Sequence, residues 1–186
     1  MYRLALIIGH SQHEQGAKAT LPINRTEYEF NSDLTIDLFR EAREAGLDCR
    51  IFSRNGKTRR ELGKEVNAYG GVAIELHFNS FNGIVRGTET LYDALPPENE
   101  SFAQLVQTKV CEALGREGKR DRGIKLVCFK ERGWTNLDAV TIPGCLIEPS
   151  FCDNRDESKL LYRLRMEYVR ALINATLEWH CIEREK

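Results

Sequence analysis

The chain has 186 residues, 41% hydrophobic and 30% charged, and 27 Lys and Arg stand against 28 Asp and Glu for a formal net charge of −1. One domain is expected at this length, burying about 70% of the surface that the unfolded chain exposes. The near-neutral balance offers no basic field for nucleic acid, and apolar runs no longer than a strand argue against a membrane span or any stable membrane association.

The first stretch, MYRLALIIGHSQ, carries a single Arg and an apolar run too short for a secretory leader. Synthesis in the cytoplasm without a signal peptide is therefore expected. A strand at about 3–8 leads to His10. INRTEYEFN (23–31) then offers Glu27 and Glu29 near the start of a helix at 29–46, whose Phe30, Leu34, Leu38 and Ala42 fall at helical spacing before Gly46. A strand at 48–53 and a shorter helix at 58–71 follow. GVAIELHFNS (71–80) begins as a buried strand with Val72, Ala73 and Ile74 but finishes on Glu75, His77 and Asn79. Strands are read at 85–92 and 124–128 around a helix at 98–117, and GCLIEPSF (144–151) is a strand ending on Glu148. One long helix, 155–180, closes the chain.

Alternating strands and helices imply a single α/β domain with a mostly parallel, twisted sheet of about six strands flanked by helices. In such sheets right-handed crossovers gather the carboxyl ends of the strands on one edge, where ligands bind. His10, His77 and Glu148 each end an apolar strand at that edge. Two imidazoles and nearby carboxylates are what a catalytic zinc requires, with three protein ligands and a fourth position open. A helix N-terminus tolerates an anion, so either Glu27 or Glu29 suits the third place, and periodicity does not choose. Glu75 shares a strand face with His77 and reads as a structural or orienting group. His13 reads as an exposed loop residue, and His180 has no evident role.

Six cysteines, at 49, 111, 128, 145, 152 and 181, include no CxxC, and Cys49, Cys111, Cys128 and Cys145 stand in apolar contexts. Free buried thiols are expected rather than a disulfide framework. Two basic stretches, RIFSRNGKTRR (50–60) and REGKRDRGIK (116–125), read as solvated loops and helix ends, with a cleft rim for an anionic polymer as the functional alternative.

IIGHSQHEQGA, TEYEFN, IELHFNSFNG, RGTETLY and CLIEPSFCDN, in that order, resemble the zinc-dependent N-acetylmuramoyl-L-alanine amidases, including the catalytic domains of phage endolysins. The likeness runs from the first strand to the closing helix. It implies Zn2+ as cofactor, held by His10, by the glutamate four residues before Asn31 (Glu27 rather than Glu29) and by His77. It implies that Glu148 is the catalytic glutamate, and that Asn79, the RGTE segment with Arg86 and Gly87, and Arg122 shape the substrate groove. The implied substrate is peptidoglycan, reached after release from the cytoplasm, with residues 1–186 forming the catalytic domain and no separate wall-binding domain. Serine stands where many relatives have the second glycine of GHG. A zinc peptidase acting within stem peptides, or an inactive wall-binding relative, are the alternative readings.

Overall fold

The computed structural model describes residues 2–129, 131 and 133–185. Its elements are β1 (Arg3–Ile8), α1 (Glu27–Glu44), β2 (Asp48–Ser53), α2 (Arg59–Tyr69), β3 (Val72–Leu76), β4 (Thr88–Tyr92), α3 (Glu98–Leu114), β5 (Asp121–Leu126), α4 (Trp134–Leu137), β6 (Gly144–Glu148), α5 (Arg155–Arg163) and α6 (Arg165–Arg184). The strands form one sheet in the order β2-β1-β3-β6-β4-β5. The first four run parallel, as alternation predicts, while β4 is antiparallel to β6 and parallel to β5.

That reversal decides the make-up of the site. The carboxyl ends of β1, β3 and β6 share one edge, and the beginning of β4 joins them there, with Glu89 opposite Glu148.

Side-chain alternation along β1 divides the core. Leu4 and Leu6 pack with Phe30, Leu34 and Leu38 of α1 and with residues of α3 and α6. Ala5 and Ile7 face the other layer, with Phe52, Leu62, Val66 and Tyr69. Both faces of the central strands are therefore covered, which is why they read as unbroken apolar runs.

Several boundaries differ from the sequence reading; β4, for one, begins at Thr88 rather than near 85. α1 begins at Glu27 because Thr26 and Glu29 form a capping box, each side chain accepting from the other residue's backbone N–H. β5 starts earlier, at Asp121. The closing helix is broken at Leu164, with φ −100° and ψ 27°. α5 is tied by Glu157 to Arg116 and by Ser158 to the Thr20 carbonyl, whereas α6 packs on α3 and α1, so the halves answer to different partners. Neither Pro nor Gly marks that break in the sequence. No helix among the described residues is long and apolar enough to cross a membrane.

All six cysteines are free, and Cys49, Cys111, Cys145 and Cys152 are buried as thiols. Cys128, expected inside, is exposed, because it follows the end of an edge strand.

Candidate metal centre and catalytic cleft

β1 delivers His10 through Gly9. A Cβ on Gly9 would lie 2.6 Å from His77 Nε2 and press on the Leu76 carbonyl, so only glycine lets the two strand ends approach. His10 itself sits at φ 65°, a left-handed conformation uncommon outside glycine, that turns its ring back over the sheet edge. Gly16, at φ 73°, passes so close that a Cβ there would be 2.6 Å from His10 Cδ2 and 2.7 Å from Glu27 Oε2.

Glu27 is the first residue of α1 and is buried, while Glu29 is spent on the capping box. Glu27 Oε1 lies 2.7 Å from His77 Nδ1 and accepts from the Phe78 N–H at 3.1 Å. Its Oε2 lies 3.1 Å from His10 Nε2 and accepts from the Ala17 N–H at 3.3 Å. Four residues on, Asn31 Nδ2 donates to the Leu76 carbonyl at 3.0 Å and ties the helix start to the end of β3. The spacing of glutamate and asparagine thus has a mechanical reason: one side chain reaches the site while the other, one turn later, fixes the helix beside it.

Burial would raise the Glu27 carboxyl, but hydrogen bonds to His10 and His77 overcome it and hold it at about 2. Burial likewise works against a charged His77, and Glu27 and Glu75 reverse that, lifting it to about 10. His77 Nε2 lies 3.0 Å from Glu75 Oε1 and 3.1 Å from Asn136 Nδ2, and Asn136 Nδ2 also donates to Glu75 at 2.8 Å.

The ligand atoms of His10, Glu27 and His77 all lie within 4.8 Å of one another. Two imidazoles and one carboxylate match the donor set of a catalytic zinc site. The second nitrogen of His77 is held by Glu75 and Asn136, the arrangement that orients metal-binding imidazoles. The residues present therefore fit a metal.

Glu148 ends β6 beside this cluster and is 4% exposed. Asn79 Nδ2 donates to Glu148 Oε2 at 2.8 Å and to Glu89 Oε1 at 2.7 Å. Glu89 Oε2 accepts from Arg122 Nε and Lys125 Nζ, both at 2.5 Å. Burial favours the neutral form of Glu89, yet these two cations and a hydrogen bond with Glu148 bring it down to about 2.

A cleft of about 330 Å³ is bounded by His10, Glu27, His77, Asn79 and Glu148, which brings the three candidate ligands, the candidate catalytic residue and one groove residue together. The other groove candidates lie outside its lining. Arg86 is exposed and paired with Asp156 at 2.6 Å. Gly87, at φ 119°, donates its N–H to Glu157 Oε2 at 3.2 Å. Arg122 spends its guanidinium on Glu89 and on the face of Phe151, 4.9 Å from its centroid.

Asn136, Arg59 and Glu89 were missed individually by the sequence reading. Asn136 sits in a four-residue helix with no periodic signal. Arg59 lies in the first basic stretch and lines the cleft, rather than standing in a solvated loop. Glu89 is a carboxylate inside a strand pattern, TETLY, and that misplaced charge is the signal it gives. Arg116, from the second basic stretch, is buried in a bidentate pair with Glu157 rather than solvated.

Fold and site together define an α/β domain that gathers a two-histidine, one-carboxylate cluster and a separate glutamate on one sheet edge. The family model described as N-acetylmuramoyl-L-alanine amidase matches residues 4–177, and the chain belongs to that family. An uncharacterized cell wall amidase of Bacillus anthracis is 33% identical over 126 residues, 59% of this chain, and the chain spans 22% of that protein's length. Among solved structures, the catalytic domain of CwlV, an N-acetylmuramoyl-L-alanine amidase from Bacillus (Paenibacillus) polymyxa var. colistinus, superposes with a TM-score of 0.80 at 20% identity, covering 96% of this chain and 98% of that one. The catalytic domain of the CD27L endolysin, which targets Clostridia difficile, gives 0.74 at 24% identity, again over 96% and 98%.

Proposed function

We propose that the protein is a zinc-dependent amidase that cuts peptidoglycan between the lactyl carboxyl of N-acetylmuramic acid and the L-alanine of the stem peptide. The observation that carries this reading is the meeting of His10, Glu27 and His77 with Glu148 around one cleft, in a member of the amidase family. His10, Glu27 and His77 would hold the zinc, which when bound would supply a Lewis acid for the scissile carbonyl and for water.

The chain's own residues do the rest. The Glu148 carboxylate takes a proton from the attacking water as its oxygen bonds to the carbonyl carbon. The C–N bond then breaks, and the same carboxyl returns the proton to the alanine nitrogen, which leaves as a free amine. Asn79 holds Glu148 Oε2 in place at 2.8 Å. Glu75 and Asn136 keep the His77 ring from turning. Leu91 and Leu146 give the cleft an apolar wall that limits water.

The finer reading is a phage or prophage lysin, made in the cytoplasm and acting on the wall after release. Its support is the likeness of the ordered motifs, from IIGHSQHEQGA to CLIEPSFCDN, to the catalytic domains of phage endolysins in the family.

Mass spectrometry of fragments released from purified peptidoglycan, with and without a chelator, tests the reaction. Stem peptides beginning with a free L-alanine amine, released only in the presence of metal, are the expected products. Stems shortened within the peptide would replace the amidase with a peptidase on the same scaffold.

A further inference from the structure

Arg59 opens α2 and lines the same cleft as His10, His77 and Glu148. It is half-buried, and among the described residues no carboxylate comes within 4.0 Å of its guanidinium. Its guanidinium donates instead to a neutral oxygen, Asn136 Oδ1. The neighbouring Arg54 differs, because it is paired with Glu14. Arg122 and Lys125, which lie outside the cleft lining, are both spent on Glu89. Arg59 thus contributes a cation to the cleft wall that no carboxylate among the described residues pairs with.

A guanidinium carries five donors in a planar fork suited to a carboxylate. Holding one half-buried beside a metal cluster has a desolvation cost, and an incoming anion offsets it. Burial is also the main influence on Arg59 itself, pulling its pKa below the usual arginine value against the attraction of Glu75. In the proposed substrate, the glycan and the scissile amide are uncharged. Its negative charges belong to the stem peptide, where the α-carboxyl of the second residue, a γ-linked glutamate, lies nearest the cut bond.

We propose that Arg59 binds that α-carboxylate, so that the cleft selects stems bearing a free acid over stems in which the position is amidated. The inference rests on the amidase reading and adds a specificity-determining residue to it. The wall formed by α2 and α4 is then the peptide side of the cleft. Asn136 joins the two tasks, since it touches Arg59 through its oxygen and His77 through its amide nitrogen.

The experiment compares two soluble muramoyl peptides that differ only at this group, one a free α-carboxylate and the other its amide, with the zinc-loaded protein. For the unaltered chain, kcat/KM is expected to favour the acid on the order of 10- to 100-fold, the size of a charge-assisted hydrogen bond. In Arg59→Gln the preference should fall to within about twofold while zinc content is retained. Arg59→Lys, which keeps the charge but loses the fork, should keep part of it. Equal losses on both substrates in Arg59→Gln would overturn the proposal and leave Arg59 as a support for Asn136. An unaltered chain that cuts both substrates equally well would overturn it too. Cleavage of neither would instead remove the amidase reading, and this inference with it.

Discussion

Glu89 stands directly across from Glu148 in the antiparallel register of β4 and β6, and the one amide group of Asn79 donates to both. Two buried carboxylates this close are stable only if the charge on one is compensated. Arg122 and Lys125 compensate Glu89. The proposed base is therefore positioned by a charged neighbour that never needs to touch the substrate.

That pairing sets an acid limit. The carboxyl of Glu89 is held at about 2, against 4.5 for an unperturbed glutamate. A folded-state pKa below the unfolded one stabilises the fold above the unfolded value, and the gain is lost as pH falls through the folded value. Denaturant titrations should show the protein losing stability between pH 4.5 and about 2. In Glu89→Gln that slope should flatten, with lower stability at pH 7. An unchanged slope would place the charge of Glu89 outside the stability of the fold.

Glu148→Ala should keep its zinc and lose on the order of 100-fold to 10,000-fold in turnover, the usual contribution of a general acid–base group. Metal analysis alongside the peptidoglycan assay checks both halves. Full turnover would take Glu148 out of the mechanism.

Glu27→Ala should lower zinc occupancy far more than Glu29→Ala. The first removes the carboxylate between His10 and His77, whereas the second removes half of the Thr26 capping box. Glu29→Ala is expected to lose some thermal stability and retain metal. The reverse order of zinc loss would exchange the two roles.

The split between these glutamates shows how far the sequence can be read. His10, His77 and Glu148 were legible because each ends an apolar strand, and parallel strands must finish on one edge. Choosing Glu27 needed the likeness to a family, since both glutamates lie in the first turn of α1, where Glu29 makes the local cap with Thr26 and tertiary contacts carry Glu27 to the cluster. Glu89 was reached only through the likeness of the RGTE segment, for a topological reason. β4 runs against its neighbour β6, so the start of a strand reaches the site, and alternation of elements carries no mark of that reversal. Asn136 was hidden because α4 is one turn long and lacks any apolar period.

Gly9→Ala should damage the proposed metal site without replacing any of its candidate ligands. The added methyl would lie 2.6 Å from His77 Nε2 and meet the Leu76 carbonyl, so the ends of β1 and β3 would have to part. Lower zinc affinity together with lower stability is the expected result. Unchanged zinc binding would mean that the strand ends can separate without disturbing the cluster.

A buried ion pair supports the strand ends that carry the proposed catalytic residue. Arg116 and Glu157 form a bidentate pair at 2.8 and 2.6 Å, and their side chains are only 1% and 3% exposed. Arg116 also donates to Ser150 Oγ at 2.8 Å and to the Pro149 carbonyl at 3.3 Å, just past Glu148. From the other side, Glu157 accepts the Gly87 N–H, two residues before Glu89. One buried ion pair thus fixes the segments that carry both carboxylates. Removing one member leaves the other charged and unpaired, which costs about 3–5 kcal/mol. Arg116→Met should therefore be destabilised by about that amount in denaturant titrations. Replacing Arg116 and Glu157 together with apolar residues of similar volume should recover much of the loss, because no lone charge remains buried. Turnover of the double variant should stay below that of the parent, since the Gly87 N–H would lack its carboxylate partner and the Pro149 carbonyl would keep only the Thr88 hydroxyl. A double variant no more stable than Arg116→Met would show that the packing around the pair, rather than its charges, holds this part of the fold.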